Sequence, residues 1–173
     1  MALSLYDASI PVYLQMLRNL EVWIAKAEAH AAASGADVAG YLDARLAPDM
    51  GSLTKQIQLA SDAAKSGAAR LAGVTAPSFP DTETTWPELK ARIATTIAFV
   101  EGVSRTAVEG DDSRTVELPL PGRTMTFTAR NFLLQFSLPN FLFHMVTAYG
   151  LLRSQGVPLG KMDYLAGAMP VPA

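Results

Sequence analysis

Residues 131–164 read NFLLQFSLPNFLFHMVTAYGLLRSQGVPLGKMDY. This stretch holds the longest apolar helix signal in the chain, one of its two histidines, and a tail whose glycines and proline define a fixed loop. At about 100° per residue, Ser137, Asn140, His144 and Thr147 share one narrow helical arc. Leu133 and Leu151 fall on the same line, while Gln135 and Arg153 point the opposite way. A polar stripe bracketed by leucines, on a helix apolar nearly all round, reads as a buried polar cluster. Buried Asn and His cost roughly 1–3 kcal/mol each unless they are bonded. The stripe is therefore a satisfied core network, a ligand or metal site, or an exposed or subunit-contact face. Pro139 removes one backbone bond and predicts a kink or break just before Asn140. Gly156 ends the helix and Pro158 prevents its resuming.

Working back from this helix, the pattern alternates. Arg114–Leu118 and Thr124–Phe127 predict two short strands with Val116, Leu118, Met125 and Phe127 facing inward. Leu120-Pro121-Gly122-Arg123 supplies the Pro–Gly order of a type II turn between them. Thr128 is placed to cap the next helix. Further back, Thr85 and Glu88 form a capping box around Pro87 and open a helix to about Thr106, with Trp86, Leu89, Ile93, Ile97, Val100 and Val103 inward. Residues 73–84 form a proline-rich loop.

Two more helices precede it. One runs from about Met50 to Leu71, with Met50, Leu53, Ile57, Ala60, Ala64 and Leu71 inward. Gln56 lies at the margin of that arc, and Gln58, Asp62 and Lys65 point outward. A short helix, Val38 to Arg45, is capped by Asp37. The first long helix runs from near Leu5 to Ser34, with a bend or short first segment at Pro11. Its inward arc holds Ile10, Tyr13, Leu14, Leu17, Leu20, Ile24, Ala27 and Ala31. His30 lies off that arc and reads as a surface histidine near a helix C-terminus. Trp23 and Trp86 read as packing anchors.

Composition narrows the function. Half of the 173 residues are hydrophobic and 17% are charged, as expected of one globular domain spanning 1–173. The net charge is −2 with both signs interspersed, so there is no basic footprint for nucleic acid. No cysteine is present, which removes disulfides, thiolate metal sites and cysteine nucleophiles, and fits a reducing cytosol. The opening MALSLYDAS has no basic leader region, and no run of about 20 apolar residues predicts a membrane span. There is no phosphate-cradling glycine loop, dinucleotide fingerprint or nucleophile elbow. Asn140 and His144 stand at i and i+4, a separation at which two helical residues reach one ion. Histidine suits zinc, nickel or iron, and an asparagine oxygen is a weaker ligand. Two histidines exclude a three-histidine site within one subunit. Gln56 is the polar residue of the second long helix able to meet the His144 stripe. In the tail, Arg153, Lys161, Asp163 and Tyr164 are expected to cluster near the helix end, where Arg153 and Lys161 either satisfy carbonyls and pair with Asp163 or form an anion-holding rim to the pocket.

SLYDASIPVYLQMLRNL, ARLAPDMGSLTKQIQLASDAAK and NFLFHMVTAYGLLRSQGVPLGKMDYL carry a family resemblance. Together with the order of long helices, late hairpin and last helix, they resemble the DinB-like superfamily of bacterial four-helix bundles. The resemblance is to its uncharacterised branch, the domain of unknown function numbered nineteen-ninety-three. It implies an all-α, up-and-down four-helix bundle with a small β-hairpin before the last helix, and frequent dimers. Many DinB-like proteins hold a divalent metal through one histidine on the second helix and an HxxxH pair on the last, and some are thiol transferases or hydrolases. Here the HxxxH pattern reads Asn140-x-x-x-His144, and the second helix has no histidine, with Gln56 the nearest stand-in. Only His144 carries over as a metal ligand.

The expectation is a cytoplasmic, homodimeric binding or interaction bundle, with a small, mostly apolar pocket lined by Gln56, Ser137, Asn140, His144 and Thr147. It contacts neither nucleic acid nor membrane. The alternative is a divalent-metal enzyme of thiol transferase or hydrolase type, with zinc or nickel at a degenerate site on His144.

Overall fold

The computed structural model describes residues 4–167. Residues 1–3, part of the opening segment expected to lack a leader, and residues 168–173 lie outside that range. In chain order the elements are α1 (Ile10–Ser34), α2 (Val38–Leu42), α3 (Leu53–Ala72), α4 (Trp86–Glu101), α5 (Arg105–Val108), β1 (Thr115–Leu120), β2 (Arg123–Thr128), α6 (Ala129–Asn131), a π-helical segment (Phe132–Ser137), α7 (Leu138–Ser154) and α8 (Lys161–Tyr164). α1, α3, α4 and the α6–π–α7 rod form a four-helix bundle. α3 packs on α7 and α4, α1 on α4 and α7, and α1 lies diagonal to α3. No described helix is long and apolar enough to cross a membrane.

Helix limits follow local chemistry. Ser52 caps α3 by accepting from Lys55 N, and Gly73 ends it in the left-handed conformation. Thr85 and Glu88 complete a reciprocal capping box at α4, with Pro87 in the first turn where no N–H is needed. Pro11 falls in the first turn of α1, so residues 5–9 form a separate turn. That turn is fastened to α5 through Ser4 to Glu109 and Asp7 to Arg105. The hairpin pairs Val116 with Phe127 and Leu118 with Met125, and Gly122 has the positive φ that its turn requires. Val116 and Leu118 are buried, which clamps the hairpin onto the bundle.

The chain reverses direction at every long connection but one, so the up-and-down order expected of the bundle fails between α3 and α4. Tyr13 at the start of α1 meets Ser137 at the start of α7, and both meet Gly67 near the end of α3. Gln56, near the start of α3, meets His144. α3 therefore runs against α1 and α7. α4 runs parallel to α3, because Arg92 reaches Gln58 and Asp62 while Phe99 and Ala72 line one groove further along. The loop of residues 73–85 thus returns along the bundle to the level where α3 begins.

That return overturns one expectation. Gln58 and Lys65, expected to face solvent, are buried. They point away from the core, but the loop folds over them. Arg92, with its side chain 2% exposed, bonds Asp62 at 2.8 Å, Glu83 at 2.9 Å and Asp81 at 3.0 Å. Lys65 pairs with Asp62, Lys55 with Asp81, and Phe79 lies under both Arg92 and Lys65. Charge and aromatic contact hold this loop where apolar burial alone would not.

Two other expectations need correction. His30 is not a free surface histidine, because its Nδ1 lies 2.7 Å from the buried Tyr41 hydroxyl and ties α1 to α2. Asp163 pairs with Lys26 at 2.6 Å, not with Arg153 or Lys161. Its carboxylate also caps Gly160 N, while Trp23 donates to the Asp163 carbonyl and Tyr164 stacks on Trp23. The tail is docked on α1, and Arg153 bonds the Val157 carbonyl.

Candidate functional site

Pro139 shapes the site first. It has no N–H to return to Gln135, and its ring would press on that carbonyl. The helix does not break. Over Phe132–Ser137 the ladder steps to π spacing, with Leu138 N bonded to Leu133 O. One extra residue in the turn relieves the proline and rotates the preceding turn by roughly 100° relative to α7. α7 then continues with Pro139 in its first turn.

The polar stripe is consequently divided. Ser137 is buried, 2.7 Å from the Tyr13 hydroxyl, against the face of Gly67. Burial pushes the Tyr13 phenol up to about 12, against the opposing pull of its Ser137 bond. Asn140 is exposed. Thr147 is buried and donates to the Phe143 carbonyl one turn back, so its hydroxyl is satisfied within α7. His144 is half-buried at the α3–α7 seam. The buried line of α7 passes through Phe141, Met145, Ala148 and Leu152, which leaves Asn140 and His144 at its margin.

Gln56 is 2% exposed, and its Oε1 lies 2.8 Å from His144 Nδ1. Its Nε2 donates to the Gly51 carbonyl at 3.1 Å, which turns the amide oxygen toward the ring. A carbonyl oxygen only accepts, so the neutral imidazole carries its proton on Nδ1 and keeps its lone pair on Nε2. Burial lowers the His144 pKa from its ordinary value and favours this neutral form.

The donor set does not fit the metal centre that the family resemblance implies. Among the described residues, no group of three His, Cys, Asp or Glu side chains is placed to hold a metal ion. His144 is a lone imidazole, Gln56 is engaged on both its polar ends, and Asn140 brings only an amide.

Beside Asn140 the seam opens into a cleft of about 230 Å³ between α3, the hairpin and the π segment. Ser137 and Asn140 line it, as do Asp62, Ser66 and Arg70 from α3 and Phe132 and Phe136 from the π segment. Gln56, His144 and Thr147 do not. The five residues of the predicted pocket thus divide among a core bond, a helix-internal bond, an amide–imidazole pair and a cleft wall. Sequence reasoning missed Arg70, although a cation among alanines near a helix end was a readable signal.

Residues 5–165 match a family described as Domain of unknown function (DUF1993). No curated protein matches the chain. Among solved structures, the chain is similar to the crystal structure of a DinB family member protein from Shewanella denitrificans. The two are 41% identical, with 98% of this chain and 95% of that one covered, at a TM-score of 0.87.

Proposed function

The chain belongs to the DUF1993 family and has the DinB-like fold, and from that premise we propose that it acts as a binding bundle and not as a metal-dependent transferase or hydrolase. The observation that carries this reading is the Gln56–His144 pair. An amide anchored on Gly51 meets the imidazole, and no second or third His, Cys, Asp or Glu side chain among the described residues joins it in a group able to hold a metal ion. The cleft beside Asn140 supplies the binding space. The absence of cysteine suits a reducing cytosol, where we place the protein.

Metal analysis of protein purified without a histidine tag tests the proposal. Less than about a tenth of an equivalent of zinc or nickel per chain, and no uptake on adding either, is the expected result. A full equivalent that His144→Ala abolishes would overturn it in favour of the metalloenzyme.

A second copy of the chain is proposed as partner. Leu134, Phe143 and Val146 on the last rod are 43%, 52% and 51% exposed, which favours a covered face. A two-fold pairing of like surfaces is the commonest way to cover one.

A further inference from the structure

We infer that the cleft between α3 and the π segment binds a small organic anion with an apolar body, held by the guanidinium of Arg70. The inference rests on reading the bundle as a binding module and names the ligand class. Among the described residues, no carboxylate lies within ion-pair distance of Arg70. Its one hydrogen bond is a long contact, 3.4 Å, to the Ser66 carbonyl of its own helix.

Arg70 does not serve as the cap of α3 either. Gly73 and Val74 N–H groups take the Ala69 carbonyl, Gly73 also bonds the Arg70 carbonyl, and Arg114 takes the Leu71 carbonyl at 2.7 Å. A half-buried cation with neither anion nor capping role is costly unless something else meets it. Burial lowers its pKa, in keeping with a charge that nothing nearby compensates. Arg92 in the same bundle shows the opposite case, with three carboxylates around it.

The cleft around Arg70 has the remaining parts. Asp62, the carboxylate that lines it, is taken by Arg92 at 2.8 Å and Lys65 at 3.0 Å. It stands two helical turns from Arg70, roughly 12 Å along the axis. Asn140 contributes an amide that makes no hydrogen bond to a described residue, and Phe132 and Phe136 stack to form an apolar wall. A volume of about 230 Å³ is below that of pockets for drug-sized molecules and suits a ligand of one ring or a short chain. A planar fork in a cleft that aromatic rings also line matches a carboxylate on an apolar body better than inorganic phosphate, which has no such body.

Titration of the full chain with benzoate, benzamide and inorganic phosphate, monitored by amide NMR shifts, tests this. Benzoate is expected to shift residues around Arg70 and Asn140 and to bind at least about tenfold more tightly than neutral benzamide, a ratio set by the charge-assisted contact. Arg70→Gln should weaken benzoate about tenfold with benzamide unchanged, and Arg70→Lys should recover part of the loss. Arg70→Gln should keep the melting temperature at or above that of the parent, because it removes an uncompensated charge. Equal binding of benzoate and benzamide, indifference to Arg70→Gln, preference for phosphate, or no shift up to about 10 mM benzoate would each overturn the inference. Metal uptake through His144 would sink the reading on which it rests, yet would leave these ratios measurable.

Discussion

His144 donates from Nδ1 to the side-chain oxygen of Gln56 at 2.8 Å, across 88 residues of chain and between antiparallel helices. The amide is itself held by the Gly51 carbonyl, so one hydrogen-bonded line joins the loop before α3 to the middle of α7. Among the described residues the line leaves His144 Nε2 without a hydrogen-bond partner, and its Nδ1 bond sets the tautomer.

The folded-state pKa of His144 lies below its ordinary value because of burial. The folded protein therefore binds fewer protons than the unfolded chain in the window between the two values. Stability from this residue is complete above the unfolded pKa, near 6.5, and is lost as pH falls through the folded one. Urea unfolding at pH 7.5 and at about pH 5 should show a fall in the parent that is smaller in His144→Gln. An identical fall in both proteins would contradict the placement of the ring.

Gln56→Ala should cost roughly 1–3 kcal/mol by leaving the imidazole donor without its partner at a half-buried position. It should also change the nitrogen shifts of His144 toward a mixture of tautomers. Thermal melting and imidazole NMR on the same sample would read both effects.

Gly67→Ala has a sign that helix propensity alone gets wrong. Alanine in a helix interior is ordinarily favoured over glycine by about 1 kcal/mol. Here the added Cβ would stand 2.4 Å from Ser137 Oγ and 2.6 Å from the Tyr13 hydroxyl. The substitution should instead cost about 1–3 kcal/mol through overpacking and loss of the Tyr13–Ser137 bond. The double variant with Ser137→Ala should recover part of that cost in denaturant unfolding.

Arg92→Met should release the crossover loop. Glu83, 11% exposed, would lose its cation, whereas Asp62 and Asp81 keep Lys65 and Lys55. A loss of about 3 kcal/mol is expected, with proteolytic cleavage appearing between residues 73 and 85. For Glu83 burial raises the pKa, but the Arg92 and Gln58 bonds outweigh it and leave the group below its ordinary value. This contribution is therefore present at neutral pH and is lost as pH falls through the carboxylate range, and the variant should lack that part of the acid sensitivity.

Phe143→Glu should give a monomer by light scattering if a second copy covers the outer face of the last rod. The parent is expected to run at twice that mass, with little difference in helix content. Equal masses for the two proteins would remove this face from consideration as the interface.

Much of this molecule was legible from residue patterns because its strongest signals are local. Capping at Thr85–Glu88, the Pro–Gly turn and the inward arcs of α1 and α4 depend on neighbours within a turn or two. The candidate site was only partly legible. α7 is apolar nearly all round, so no arc declared the inward direction. The angular count also ran through Ser137, where the π segment adds a residue that no periodicity reveals.

The amino-acid sequence by itself determined the helices, the hairpin and the lone imidazole, since each arises from spacing along one stretch of chain. Only the tertiary structure decided that Gln56 turns its oxygen to His144, that the crossover loop buries Gln58 and Lys65, and that Arg70 lines a cleft with no carboxylate of the described residues within ion-pair distance of it. These are relations between segments far apart in sequence. They are fixed by which surfaces exclude water from one another when the bundle closes, and local propensity carries no information about that.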